Sequence, residues 1–132
     1  MIWVNPVPWI ARPRPGGDSW SGYATERALI AEHIAANRID NLVMVSGDAH
    51  MVAIDDGTNT NYSSRPGRAF PLLHAAALDR PGGIKGGPYT HGPLAGGGQF
   101  AIVEVEMGAN GVDQVVLRAV DWRGTPLLEL VV

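Results

Sequence analysis

The spacing of apolar residues changes rhythm several times along this chain, and each change predicts an element. Ile2 to Val4 reads as a short strand, cut off at Asn5-Pro6 because proline restricts its predecessor and brings no ladder donor. An irregular stretch runs to about Trp20. From about Tyr23 to Ala36 the spacing turns helical, with Leu29, Ile30 and Ile34 on one side, Glu26 near the start and Asn37 as the stop. The unbroken run "NLVMVS", Asn41 to Ser46, has strand length and suits a strand covered on both faces. Between Asp55 and Gly98, polar and glycine-rich stretches flank the apolar patch "AFPLLHAAAL" and carry little periodicity. Irregular segments of that length inside a compact domain usually serve function, so they read as binding-site loops. From Gln99 onward period two takes over: "QFAIVEVEM", "VDQVVLRAVDW" and "PLLELVV", parted by "GANG" and Arg123-Gly124, predict an antiparallel meander. A helix, a buried strand and a meander together place the chain in the α/β class with an α+β mixture.

Composition narrows the function. With 132 residues, 45% hydrophobic and 17% charged, the chain fits one globular domain built on one core. Its formal net charge is -3, and Lys and Arg occur as scattered singles such as Arg12 and Arg14, so no nucleic-acid partner is expected. Without cysteine there is neither a disulfide framework nor a thiolate metal site. No apolar run approaches the roughly 18 residues of a membrane span, and the first residues show no basic n-region or apolar h-region. Lys85 lies outside any P-loop pattern, and Ser46 lacks the frame of a nucleophile elbow, which disfavours triphosphate binding and covalent acyl chemistry.

The chemistry concentrates in "VMVSGDAHMVAID", residues 43–55, where an apolar run gives way to Asp48 and His50. A strand interior has no use for either group unless it finds a partner. In open α/β sheets ligands bind beyond the carboxyl ends of the strands, and positions i and i+2 of an extended segment point the same way. Asp48 and His50 could therefore converge on a divalent or trivalent cation, with Gly47 supplying backbone freedom. The alternative is structural: Asp48 caps a turn and His50 is a satisfied histidine.

The succession "WVNPVPW", "DSWSGYATER", "NLVMVSGDAHMVAID", "KGGPYTHG" and "GQFAIVEV" resembles the C-terminal half of the alkaline phosphatase D (PhoD-like) family, part of the calcineurin-like metallophosphoesterase superfamily. The most specific pieces are Asp18 to Tyr23 with Arg27, and Ser46 to His50. The resemblance implies a layered α/β/β/α sandwich of which residues 1–132 form a single partial domain. It also implies a binuclear centre, iron and calcium by family, that hydrolyses phosphate esters, with Asp48 and His50 as metal ligands and catalytic residues. The family suggests a periplasmic or secreted enzyme. Asn59, Asn61, Tyr62, Lys85, Tyr89 and His91, all on the irregular stretches, are the expected substrate-binding donors. The superfamily's other ligand segments, carried by an N-terminal half, are not written here. The expectation is therefore a chain that supplies only the last ligand pair, turns over phosphate esters poorly or not at all, and either self-associates or pairs with a missing N-terminal half. The alternative is a non-catalytic remnant or β-rich binding module.

Other residues receive structural expectations. Trp20, Tyr23 and Arg27 are expected to pack around the helix start, with Arg27 pairing Asp18; the alternative gives Asp18 an outer role at the metal site. His33 is expected at the core edge beside Ile30 and Ile34. His91, in "GGPYTHG", is read either as part of an anion-contacting loop or as part of a mobile one.

Overall fold

A computed structural model describes residues 1–66 and 69–132. Residues 67 and 68, within the stretch between Asp55 and Gly98 read as binding-site loops, lie outside the described residues. Five strands form a mixed sheet: β1 (Ile2–Asn5), β2 (Val43–Ser46), β3 (Met51–Asp55), β4 (Leu72–His74) and β5 (His91–Ala95), in the order β1-β2-β4-β3-β5. Strands β1, β2 and β4 run parallel, whereas β3 is antiparallel to both β4 and β5. The predicted meander is present as a second sheet of β6 (Gln99–Gly108), β7 (Gly111–Asp121) and β8 (Pro126–Val131), antiparallel and in sequence order.

Strand alternation splits the core into two layers. Met44, Met51, Ala53 and Leu72 face a cluster built with Trp9, Ile10, Phe70 and the helix residues Ala31 and Ile34. Val43, Val52, Ile54 and Leu73 face Leu117 and Ala119 of the second sheet. The order is thus helix, sheet, sheet, and the fully apolar reading of "NLVMVS" follows from β2 being covered on both sides.

The sole helix among the described residues, α1 (Ala24–Ala36), buries Arg27, Ala31, Ile34 and Ala35, spaced for one face. Leu29 points the other way and is exposed, as is His33, so both depart from the expected apolar side. Leu29 lies about 200° around the helix from Arg27, and the buried side is set by Arg27 rather than by Leu29. Past the Asn37 stop, Arg38 adopts a left-handed conformation (φ 53°), and Arg38 N–H and Ile39 N–H bond to Ala35 O and Ile34 O. This is a Schellman ending, with Ile39 packed against the core beside Ile34.

Further departures arise in the stretches that carry little periodicity and around the helix start. The segment Asp55 to Gly98 contains β4 and β5 and is not uniformly loop. The first is only three residues long, too short to display a period, and the second, "HGPLA", tolerates Gly and Pro because it lies at a sheet edge. The irregular segment before Trp20 carries the centre of the aromatic core. Trp9 is fully buried, with ring centroids of Trp3, Trp20, Tyr62 and Phe70 at 5.5, 5.3, 5.9 and 5.8 Å, and its Nε1–H donates to Thr60 O at 2.9 Å. Arg27 does not pair with Asp18. Its guanidinium is buried, donates to Trp9 O at 2.6 Å and lies 3.6 Å from the Tyr62 ring centroid, and burial lowers its pKa. Trp20 packs on Trp9 as expected, but Tyr23 is exposed. No helix among the described residues is long and apolar enough to cross a membrane.

Candidate functional site

Parallel strands β1, β2 and β4 end level with one another. In register across their carboxyl ends stand Asn5, Ser46 and His74, each at most 2% exposed. Buried polar groups need partners, and these have them. Asn5 Oδ1 accepts from Trp20 Nε1 at 2.9 Å while its amide donates to Val7 O at 2.6 Å. Ser46 Oγ lies 2.8 Å from His74 Nδ1, and His74 Nε2 lies 3.3 Å from Ala49 O. A carbonyl can only accept, so the proton sits on Nε2, and Ser46 O–H donates to Nδ1. Burial pushes the His74 pKa down from 6.5 to about 4, keeping the ring neutral in that role.

His74 thus holds the middle of the loop that carries Asp48 and His50. That loop is not extended: it bends after Ser46, and the left-handed residue is Asp48 (φ 76°), not Gly47. Aspartate tolerates this conformation better than most side chains. The i, i+2 argument for convergence therefore fails in its premise. The two side chains nevertheless line the same cavity, of about 300 Å3, with Gly83, Ile84 and Lys85.

Within that cavity His50 Nδ1 lies 3.1 Å from Pro81 O, so Nδ1 carries the proton and Nε2 keeps its lone pair. A metal-binding imidazole is commonly fixed this way, by a carbonyl on its other nitrogen. The His50 carbonyl accepts from Gly83 N–H at 2.9 Å, which fastens the glycine-rich segment over the site. Further along, Gly87 N–H donates to Ile10 O at 2.9 Å and Tyr89 O–H to Lys85 O at 3.1 Å. Gly86 (φ 75°) approaches Ile10 O so closely that no side chain fits there.

Lys85 is the residue that local sequence patterns do not connect to the site. Its Nζ stands 3.0 Å from Asp48 Oδ2 and 3.0 Å from Asp18 Oδ2, bridging two carboxylates. Hydrogen bonding to Asp48 and Asp18 raises the Lys85 pKa, and the bond from Lys85 holds the Asp18 carboxyl below its usual range.

The remaining sequence candidates sit elsewhere. Asn59 donates from its backbone and side chain to Asp55 at 2.9 and 2.7 Å, and Asn61 closes a turn through Ser63 and Arg65 O. Tyr62 stacks on Arg27 and Trp9 while its hydroxyl accepts from Ala11 N–H at 3.2 Å. Tyr89 is buried, which raises its pKa. His91 begins β5 opposite Ile54, whereas Ala95, at the other end of that strand, pairs with Met51 next to His50. Four residue steps separate the two ends, roughly 13 Å of rise. Of the six expected substrate-binding donors, Lys85 alone lines the Asp48–His50 cavity.

Donor chemistry here fits a cation in kind, with a carboxylate and an imidazole in the ligating tautomer. It does not fit in number. Among the described residues no group of three or more carboxylate and imidazole side chains is spaced to hold a metal ion, where about three or four protein donors are normal. In a comparison with protein-family models, residues 10–82 match the model described as PhoD-like phosphatase. No curated protein and no solved structure matched the chain.

Proposed function

Since that match spans more than half its length, the chain belongs to the PhoD-like phosphatase family, and from this premise we propose that it is the part of a phosphoester hydrolase that supplies the last donor pair of a binuclear metal centre. The observation that carries the reading is the shared cavity of Asp48 and His50, in which Pro81 O fixes the His50 ring so that Nε2 is the ligating atom. The Asp48 carboxylate and His50 Nε2 would hold the metal, iron or calcium by family. When bound, such a centre supplies a water acidified to hydroxide near neutral pH and charge stabilisation on the phosphoryl oxygens.

The chain's own groups have separate tasks. Asp48 and His50 anchor the centre and transfer no proton. Lys85, already beside Asp48, presents an ammonium to a phosphoryl oxygen. His74 and Ser46 keep the loop between the donors at a fixed height above β2. Two donors make a weak site, so the isolated chain binds metal loosely and hydrolyses phosphate esters poorly or not at all.

The test is calorimetric titration of the purified chain with Fe(III) or Ca(II), together with hydrolysis of a chromogenic phosphate ester. Weak binding abolished by Asp48→Ala or His50→Ala, with negligible turnover, is expected. Binding that survives both substitutions rejects the donor pair, and stoichiometric metal with robust turnover rejects the claim of incompleteness. A second reading, a non-catalytic module that retains the fold, is favoured by one observation: the Asp48 carboxylate is neutralised by Lys85. Unchanged melting temperature across the metal titration would support it.

A further inference from the structure

The sequence scatters Arg12, Arg14 and Lys85 far apart, but the fold assembles them. They line one cavity of about 450 Å3 together with Asp18, Ser19 and Ser21. Ile84 and Lys85 also line the Asp48–His50 cavity, so the two spaces adjoin. In a chain whose net charge is -3, this lining carries three cations against the one Asp18 carboxylate, and Lys85 already bridges Asp18 to Asp48. Arg12 and Arg14 remain on the wall, Arg14 near enough to Asp18 to help Lys85 hold its carboxyl down, and an anion that enters meets this positive charge.

The segment that carries them is fixed. Prolines at 13 and 15 restrict φ on either side of Arg14. Ala11 N–H donates to the Tyr62 hydroxyl at 3.2 Å, Arg14 N–H to Ser21 O at 2.8 Å, and Gly17 N–H to Arg14 O at 2.9 Å. The backbone that carries the two arginines is thus held, and guanidinium groups suit phosphate and carboxylate oxygens, which they can bind in bidentate fashion. The volume exceeds what one phosphate needs and falls in the range of small-molecule sites.

We propose that the Arg12–Arg14–Lys85 cavity is an anion subsite that receives a second phosphate or carboxylate group on the leaving-group side of the phosphoester. The substrate class is then an organic phosphate carrying another anionic group, rather than a simple monoester with a neutral alcohol. The proposal rests on the phosphoesterase reading only for the identity of the scissile group; anion binding itself needs no metal.

The test accordingly uses the full chain in the presence of a chelator. Methylenediphosphonate is titrated into 15N-labelled protein, and amide shifts are followed at Gly17, Gly86 and Gly87. Saturable shifts at these residues are expected, weakened roughly tenfold or more in Arg12→Gln/Arg14→Gln, since charge-assisted hydrogen bonds are each worth about 1.5–3 kcal/mol. Arg12→Lys/Arg14→Lys retains part of the affinity. Absence of shifts, shifts spread over the surface, or equal affinity in the Gln variant would overturn the subsite. If the double variant fails to fold, the two single variants are read by the same criterion. A negative result here leaves the Asp48–His50 donor pair standing, because no metal is present; failure of the metal titration leaves this subsite standing.

Discussion

Acid should destabilise this fold before its carboxylates titrate, and His74 is the reason. Burial holds its pKa at about 4, against 6.5 for the free side chain. Between those values the unfolded chain takes up a proton that the folded chain refuses, so the unfolded state binds more protons and stability falls as pH falls. The contribution is fully present above pH 6.5 and is lost progressively down to about pH 4. At about 1.4 kcal/mol per pH unit the loss approaches 3 kcal/mol, a large share of the 5–15 kcal/mol typical of a domain. Urea unfolding followed by tryptophan fluorescence reports it, because Trp9 is fully buried. The decisive comparison is His74→Gln, whose amide can still accept from Ser46 and donate to Ala49 but takes up no proton. Its stability should be nearly flat between pH 6.5 and 4.5, while the parent loses roughly 2–3 kcal/mol over the same window. Identical slopes for the two proteins would refute the assignment. His74→Leu separates titration from bonding: it leaves the Ser46 hydroxyl unpaired, while Ala49 O keeps its bond from Met51 N–H, and should cost about 1–3 kcal/mol already at pH 7.

Three further outcomes follow from packing and charge. Trp9→Ala removes the ring that touches four aromatic neighbours together with the bond to Thr60 O, and should cost about 3–5 kcal/mol by urea unfolding; a loss below about 1 kcal/mol would contradict its central place. Arg118 joins Glu104 and Glu129 at 2.8 and 2.7 Å on the open side of the second sheet, so Arg118→Ala should lower the melting temperature slightly in low salt and not at all in molar salt, a salt-independent loss being the contrary result. Strand β1 is a sheet edge, with Ile2 and Val4 exposed beside a groove that Val105, Val112 and Val132 also line. Self-association that rises with concentration is expected in light scattering, and a clean monomer at the highest soluble concentration would count against it.

What the sequence made legible follows a physical rule. Period-two alternation over a long strand survives local noise, so β6 and β7 were readable, and so was β2, whose two covered faces make Val43 to Val45 apolar without a break. A three-residue strand has no period, which hid β4, and an edge strand has no obligation to be apolar, which hid β5. Arg27 misled for another reason. A charged residue on the apolar side of a helix looks like a surface group, yet a carbonyl and an aromatic face accommodate it in the core. At the site, Asp48 and His50 were legible because they follow the buried strand directly. Lys85 was not tied to them, since its two carboxylate partners lie 37 and 67 positions away and no local pattern encodes such a meeting.

The level row of Asn5, Ser46 and His74 explains how a buried strand can end in an acid and an imidazole. A parallel sheet leaves backbone groups unsatisfied where its strands stop, and the connections above must be held by something other than the ladder. Here the holding is done by groups that do not act as ligands. His74, oriented by Ser46, donates to Ala49 O from below, and Gly83 N–H donates to His50 O from above. The loop backbone at Ala49 and His50 is bound by its neighbours, so the Asp48 carboxylate is left to pair with Lys85 in the cavity that His50 also lines. Substitution in the supporting row should therefore loosen both donors together. Substitution of His50 alone should leave the row, and the acid sensitivity set by His74, unchanged, whereas loss of the Asp48 charge, which favours the protonated His74 ring, should push the His74 pKa lower still.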